Sequence, residues 1–137
     1  MSDCIFCMLA NGDIPTATLY EDEEFRVILD AAPASKGHAL ILPKGHYANI
    51  SEMPEDLTGR AFILAKKMAA VLKEAMHCDG LNIVQNNGEE AGQTVFHFHI
   101  HLIPRYKGSA PIVANWAQGS VTDEEKEEII AACKALL

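Results

Sequence analysis

The sequence predicts a single α+β domain: a five-stranded antiparallel sheet with one long helix and a second helix at the C-terminus. Three observations predict it. Five short apolar or alternating segments are bounded by turn residues, one long segment has helical periodicity, and strands follow one another with the helices set apart. The chain has 137 residues, the size of one ordinary domain, and 49% of them are hydrophobic, enough for one core without disulfide help. No repeat, low-complexity tract or linker divides residues 1–137.

Cys4 to Ala10 reads as a short helical turn, closed by Asn11-Gly12-Asp13 and Pro15. Thr16 to Tyr20 and Phe25 to Leu29 read as two strands around the acidic turn Glu21-Asp22-Glu23-Glu24, a solvated loop. Gly37 to Pro43 is the third strand, and its run Ala39-Leu40-Ile41-Leu42 predicts burial on both faces. The long helix follows. Pro54 suits its first turn, and Glu55 and Asp56 suit the positive end of its dipole. Leu57, Ala61, Leu64, Ala65, Met68, Leu72 and Ala75 recur on one face, Gly59 is a mild defect, and Asp79-Gly80 ends the segment.

Leu81 to Val84 is the fourth strand, Gln85 to Thr94 a polar loop, and Val95 to Ile103 the fifth strand. An irregular stretch containing Trp116 comes after Pro104-Arg105. Thr122 and Glu125 then form a capping box for a helix over about 122–136, with Ile129, Ile130, Cys133 and Leu136 on its apolar face.

A formal net charge of −8 argues against a nucleic-acid backbone as partner, although a few N–H donors and an imidazole can hold a small phosphate in an acidic protein. No apolar run has the length of a membrane span, and the N-terminus lacks the order of a signal peptide, so a cytoplasmic location is expected. Of four cysteines, Cys78 and Cys133 stand alone and are expected to pack as small apolar residues. Cys4 and Cys7 form a C-x-x-C pair, which in a reducing compartment points to metal or redox work. A thioredoxin-like pair needs a preceding strand, and only three residues precede Cys4, which favours metal.

The most specific feature is His97-Phe98-His99-Ile100-His101-Leu102-Ile103. Alternate side chains of a strand share a face, so three imidazoles project one way while Phe98, Ile100 and Leu102 enter the core. Burying three imidazoles is costly unless each has a partner. The outer two are about 13 Å apart along an extended backbone, too far for one three-histidine metal site with bonds near about 2 Å. A division of labour follows.

This strand resembles the H-φ-H-φ-H-φ-φ signature of the histidine-triad (HIT) superfamily, φ being apolar. Asn86-Asn87-Gly88 and Gly92-Gln93-Thr94-Val95 resemble its phosphate loop, and Asp30, Gly37-His38 and Pro43-Lys44-Gly45-His46 resemble its upstream motifs. The resemblance covers about residues 4–106 and is closest to the bacterial Hit proteins, related to the Hint and Fhit branches. It implies a nucleotide hydrolase acting on nucleoside 5′-phosphate derivatives, phosphoramidates or dinucleoside polyphosphates. His99 would be the nucleophile that forms a nucleotidyl-histidine intermediate, His101 the donor to phosphoryl oxygens, and His38 a further histidine lining that region.

Asp30 would hold the ribose hydroxyls, and Asn86, Gly92, Gln93 and Thr94 the phosphate, with Ile5, Phe6 and Ile28 walling the base pocket of a purine nucleotide. The resemblance further implies a closed, structural zinc site of Cys4, Cys7, His46 and His97, and a homodimer with joined sheets. The uridylyltransferases that the strand also resembles carry glutamine where this chain has His101, which favours hydrolysis over transfer. Ile103-Pro104-Arg105 resembles the Fhit and bacterial Hit sides and keeps polyphosphates open as substrates. Two rival readings remain at this point: a nucleotide- or zinc-binding adaptor with little turnover, and a hydrolase with catalytic zinc on the histidine strand.

Overall fold

The computed structural model describes residues 3–110, 112 and 117–137. The elements run α1 (Ile5–Ala10), β1 (Thr18–Glu21), β2 (Phe25–Leu29), β3 (Ala39–Pro43), α2 (Glu55–Met76), β4 (Gly80–Val84), β5 (Ile100–Arg105) and α3 (Asp123–Lys134). The five strands form one sheet in the order β1-β2-β3-β5-β4, every neighbouring pair antiparallel. Strand β3 is central, and all five of its residues are buried, as its continuous apolar run predicts.

Parity along the strands sorts the two faces of the sheet. Phe25, Val27, Ala39, Ile41, Phe98, Ile100 and Leu102 pack with Leu57, Ala61, Leu64, Ala65, Met68 and Leu72 of α2 into the main core. Ile28, Leu40 and Leu42 point the other way and pack with Ala10, Phe6 and Leu9 of α1. His38 and Asp30 continue the even-numbered series onto this second face, and His99 and His101 reach it because Phe98, Ile100 and Leu102 take the first.

Several boundaries differ from the sequence reading. The fifth strand begins at Ile100, so His97 and His99 precede the ladder. The reason lies in the neighbours. Strand β4 ends at Val84, opposite His101, and β3 ends at Pro43, which has no N–H to offer. The Phe98 N–H instead donates to the Tyr47 carbonyl at 2.6 Å. The side-chain alternation survives without the ladder. Strand β1 starts at Thr18 and β3 at Ala39. Helix α2 ends at Met76 with His77 left-handed (φ 52°), and Gly80 opens β4 instead of closing the helix. Ala75, expected on the buried face, is exposed. The acidic turn is ordered by Asp22, whose carboxylate accepts from the N–H groups of Glu24 and Phe25.

The C-terminal helix forms with its capping box, Thr122 and Glu125 bonding reciprocally. Its apolar face is not covered. Ile129, Ile130, Cys133 and Leu136 are all exposed, which corrects the expectation that Cys133 packs inside; Cys78 is buried as expected. Trp116 lies outside the described residues. No helix among the described residues is long and apolar enough to cross a membrane.

Candidate active site

Five histidines, Asp30 and two cysteines gather around α1, and His38, His97, His99 and His101 form the row on the sheet. His38, His97 and His99 are buried, and His101 partly so. Burial pushes His97 and His101 down to about 4, and lowers His99 and His38 as well; the Asp30 carboxylate opposes the shift at His38, His99 and His101. All four rings are therefore neutral at pH 7. A neutral imidazole has one N–H and one lone pair, and which nitrogen carries which is fixed by the partner of the other.

His99 Nδ1 lies 2.7 Å from the His97 carbonyl. A carbonyl only accepts, so Nδ1 carries the proton and Nε2 presents a lone pair. The ring is held edge-on between Phe6, at 4.8 Å between centroids, and His101, at 4.9 Å. His38 has the opposite tautomer. The Ala34 N–H donates to its Nδ1 at 2.9 Å, so the proton sits on Nε2 and donates to His101 Nδ1 at 3.0 Å. His101 is left with its own proton on Nε2. Asp30 stands beside this pair, 3.5 Å from His38 Nε2, and its other oxygen accepts from the Ala32 N–H at 2.8 Å.

A cavity of about 340 Å³ opens next to these groups, lined by Ile5, Phe6 and Leu9 of α1, Ile28 and Leu29 of β2, Leu40, and Asp30 at one end. That volume lies in the range of small-ligand pockets, and an apolar wall with one convergent carboxylate is their usual composition. Ile5, Phe6, Ile28 and Asp30 thus line one cavity. Leu9 and Leu40 were not singled out. Leu9 lies one helical turn from Ile5 and Phe6, a signal that was present, but Leu40 joins only through its pairing with Ile28 and His101.

The polar loop is arranged differently from its sequence reading. Gln93 is buried, and its amide N–H groups donate to the Ala48 and Val95 carbonyls at 2.6 and 3.1 Å, while its oxygen accepts from the Gly88 N–H at 2.8 Å. Its side chain braces the loop rather than facing outward. Gly92 has φ +92°, a conformation that favours glycine, and Asn86 lies close beside it. Thr94 is exposed.

A second cluster lies at the N-terminal end of α1. Cys7 Sγ is 3.2 Å from His46 Nδ1 and 3.4 Å from His97 Nδ1, and Cys4 Sγ is 3.5 Å from His97 Nδ1. The four ligand atoms lie within 4.8 Å of one another, a group that could hold a metal ion. The donor set fits such an ion. His97 Nε2–H donates to the Pro43 carbonyl at 2.9 Å, which leaves its Nδ1 lone pair facing the thiols.

Asp30, His38 and His101 form another compact triplet. There the fit fails: His38 would have to ligate through Nε2, which moves its proton to Nδ1 against the Ala34 N–H, donor to donor.

The HIT domain family model matches residues 11–108. An uncharacterised HIT-like protein of Methanocaldococcus jannaschii is 44% identical over 131 residues, 96% of this chain and 98% of that protein. The adenosine 5′-monophosphoramidase HNT1 of Saccharomyces cerevisiae is 38% identical over 113 residues, 82% of this chain and 69% of the enzyme. Among solved structures, a HIT family protein of Bacillus subtilis matches with a TM-score of 0.91 at 38% identity, over 99% of this chain and 98% of that one. A zinc-bound histidine triad family protein of Mycobacterium smegmatis matches with a TM-score of 0.74 at 34% identity, over 98% and 95% of the two chains. With the signature on the site face of the sheet and the likeness extending over most of its length, this chain belongs to the HIT domain family.

Proposed function

We propose that this protein is a nucleotide hydrolase that cleaves nucleoside 5′-phosphate derivatives, phosphoramidates or dinucleoside polyphosphates, through a nucleotidyl intermediate on His99. The observation that carries the reading is the fixed tautomer of His99: Nδ1–H is held by the His97 carbonyl, so Nε2 carries the lone pair, and the ring packs against Phe6, which lines the cavity. A depressed imidazole pKa keeps that lone pair available at and below neutral pH.

In this reading the base lies against Phe6 and Ile28 and the ribose hydroxyls meet Asp30. Nε2 attacks the α-phosphorus, the P–N or P–O bond to the leaving group breaks, and the leaving group departs with the bonding pair, an amine leaving group taking its proton from solvent. His101, its proton on Nε2, donates to a phosphoryl oxygen as charge builds there. His38 acts through His101 by holding it in that tautomer. Water then displaces His99 and gives the nucleoside monophosphate. Gly92, Thr94 and Asn86 bound the phosphate end, and Gln93 keeps their loop in shape.

Cys4, Cys7, His46 and His97 would hold zinc. All four positions are protein ligands, so the metal supplies structural cross-linking and no open coordination position. The thiolates suit a cytoplasmic, reducing location. Strand β4 is a sheet edge with Ile83 exposed, which supports a homodimer that extends the sheet across this edge.

The test is intact-mass analysis after brief exposure to adenosine 5′-phosphoramidate or a diadenosine polyphosphate. Wild type gains the mass of a nucleotidyl group on His99. His99→Ala gains none and loses turnover of both substrates while still binding AMP. A wild type that binds AMP but cleaves neither substrate leaves the adaptor reading in possession.

A further inference from the structure

The metal cluster and the nucleoside cavity share one element. Helix α1 has six residues, too short to persist in water without tertiary support. Its N-cap Cys4 and its residue Cys7 lie against His46 and His97, and between those cysteines sit Ile5 and Phe6, which wall the cavity. Phe6 stands between the two functions, its ring 6.2 Å from His97 and 4.8 Å from His99.

The C-terminal half is tethered without any metal. The Asn11 side chain donates to the carbonyls of Cys7 and Lys44 at 2.9 and 3.0 Å, and Arg26 Nε donates to the Ala10 carbonyl at 3.1 Å. Phe6 packing and the Asn11–Cys7 bond also hold the first half, but only that half carries metal-capable side chains. A metal bound by the two cysteines would add a cross-link at residues 4–7 that the far end of the helix does not share, so its effect would be local to the start of α1.

His97 is a second point of contact. Its ring faces the thiols, its Nε2–H is bound by Pro43, and its backbone carbonyl orients the nucleophile. Whatever fixes that residue also fixes the acceptor that sets the His99 tautomer.

We infer that a thiophilic divalent cation at Cys4, Cys7, His46 and His97 and a nucleotide in the adjacent cavity bind cooperatively, through α1 and Phe6. The inference rests on the proposal that the cavity takes a nucleoside. Cooperative binding is reciprocal: the factor by which metal tightens nucleotide equals the factor by which nucleotide tightens metal. Ordering α1 once serves both ligands, so whichever binds second finds the helix already fixed.

The experiment measures AMP affinity by calorimetry for zinc-loaded protein, for protein stripped with a chelator, and for stripped protein given zinc again. Zinc affinity is measured with a competing chromophoric chelator, with and without saturating AMP. AMP affinity is expected to fall about tenfold on stripping and to return with zinc, and AMP is expected to raise zinc affinity by the same factor. Phe6→Ala, kept zinc-loaded, binds AMP more weakly, and the difference between its loaded and stripped forms closes.

Equal AMP affinity with and without zinc overturns the inference, as does a Phe6→Ala variant whose loaded–stripped difference is undiminished. Global unfolding on stripping, seen by circular dichroism, also overturns it, because the linkage would then be whole-domain stability rather than α1. Failure of the functional proposal looks different: the zinc-loaded protein then neither binds AMP nor forms the His99 adduct, and both ideas fall together. A loaded protein that does both, with a stripped form that binds AMP equally well, removes the coupling alone.

Discussion

Acidification should weaken this fold through His101 by an amount its surroundings set. Burial first, then the neighbouring rings of His99 and His38, push this imidazole from 6.5 down to about 4, with Asp30 opposing. Above pH 6.5 the ring is neutral in both folded and unfolded chains and contributes no pH dependence. Between pH 6.5 and 4 the unfolded chain takes up a proton that the folded one refuses, so stability falls as pH falls. Below pH 4 both forms are protonated and the full penalty is in place. The slope for one such group is about 1.4 kcal/mol per pH unit, so the window is worth about 3.5 kcal/mol at most, and less because the ring is only partly buried.

His101→Gln removes the titration and keeps a side-chain oxygen that can accept from His38 Nε2–H. Urea unfolding at pH 7.0, 6.0, 5.0 and 4.5 for both proteins isolates the contribution, because the other acid-sensitive groups are common to both. The wild-type stability should decline more steeply than that of the variant across this range and run parallel to it above pH 7. Parallel curves throughout would refute the claim that His101 is held neutral by its burial among His38 and His99.

Further outcomes follow from backbone and packing. Gly37 has φ +92°, and a Cβ there would meet Met76 Cγ at 2.9 Å and Pro104 Cγ at 3.2 Å, so Gly37→Ala should cost about 2–4 kcal/mol in chemical denaturation. It should also lower turnover, since the adjacent His38 must shift. Gly59→Ala should stabilise by about 1 kcal/mol, because the position is inside α2 with nothing within 4 Å of the added methyl. Leu102→Ala, in the core opposite His101, should cost about 2–5 kcal/mol, with the loss read from the urea midpoint.

The face of the sheet that bears the site was legible in the sequence because it depends on parity alone. Alternation of His97, His99 and His101 against Phe98, Ile100 and Leu102 holds even where no ladder forms, and the apolar run of β3 marks the central strand. Three features were not legible. The start of β5 depends on where its neighbours end, and Pro43 and Val84 decide that from elsewhere in the chain. The bracing role of Gln93 depends on the Ala48 carbonyl, forty-five residues away in sequence. The exposed face of α3 has an amphipathic pattern that foretold a buried stripe, but a pattern says which face is apolar and not what covers it.

Ring tautomers also separate two clusters that composition would treat alike. Cys4, Cys7, His46 and His97 form one compact set of metal-capable groups, and Asp30, His38 and His101 form another. At His97 a carbonyl, from Pro43, takes the far N–H and turns the lone pair toward the cluster. At His38 an N–H, from Ala34, takes the far lone pair and turns the proton toward the cluster. The first arrangement offers a cation its lone pair and the second faces it with an N–H, so the second is suited to pass a hydrogen bond from His38 to His101. Zinc added to the stripped protein should therefore fill a single tight site that Cys4→Ser with Cys7→Ser abolishes, and that His38→Asn leaves at full occupancy. Elemental analysis after desalting reads the difference. Zinc retained at full stoichiometry by the double cysteine variant, and lost from it on adding His38→Asn, would place the metal among Asp30, His38 and His101 and undo the tautomer assignment.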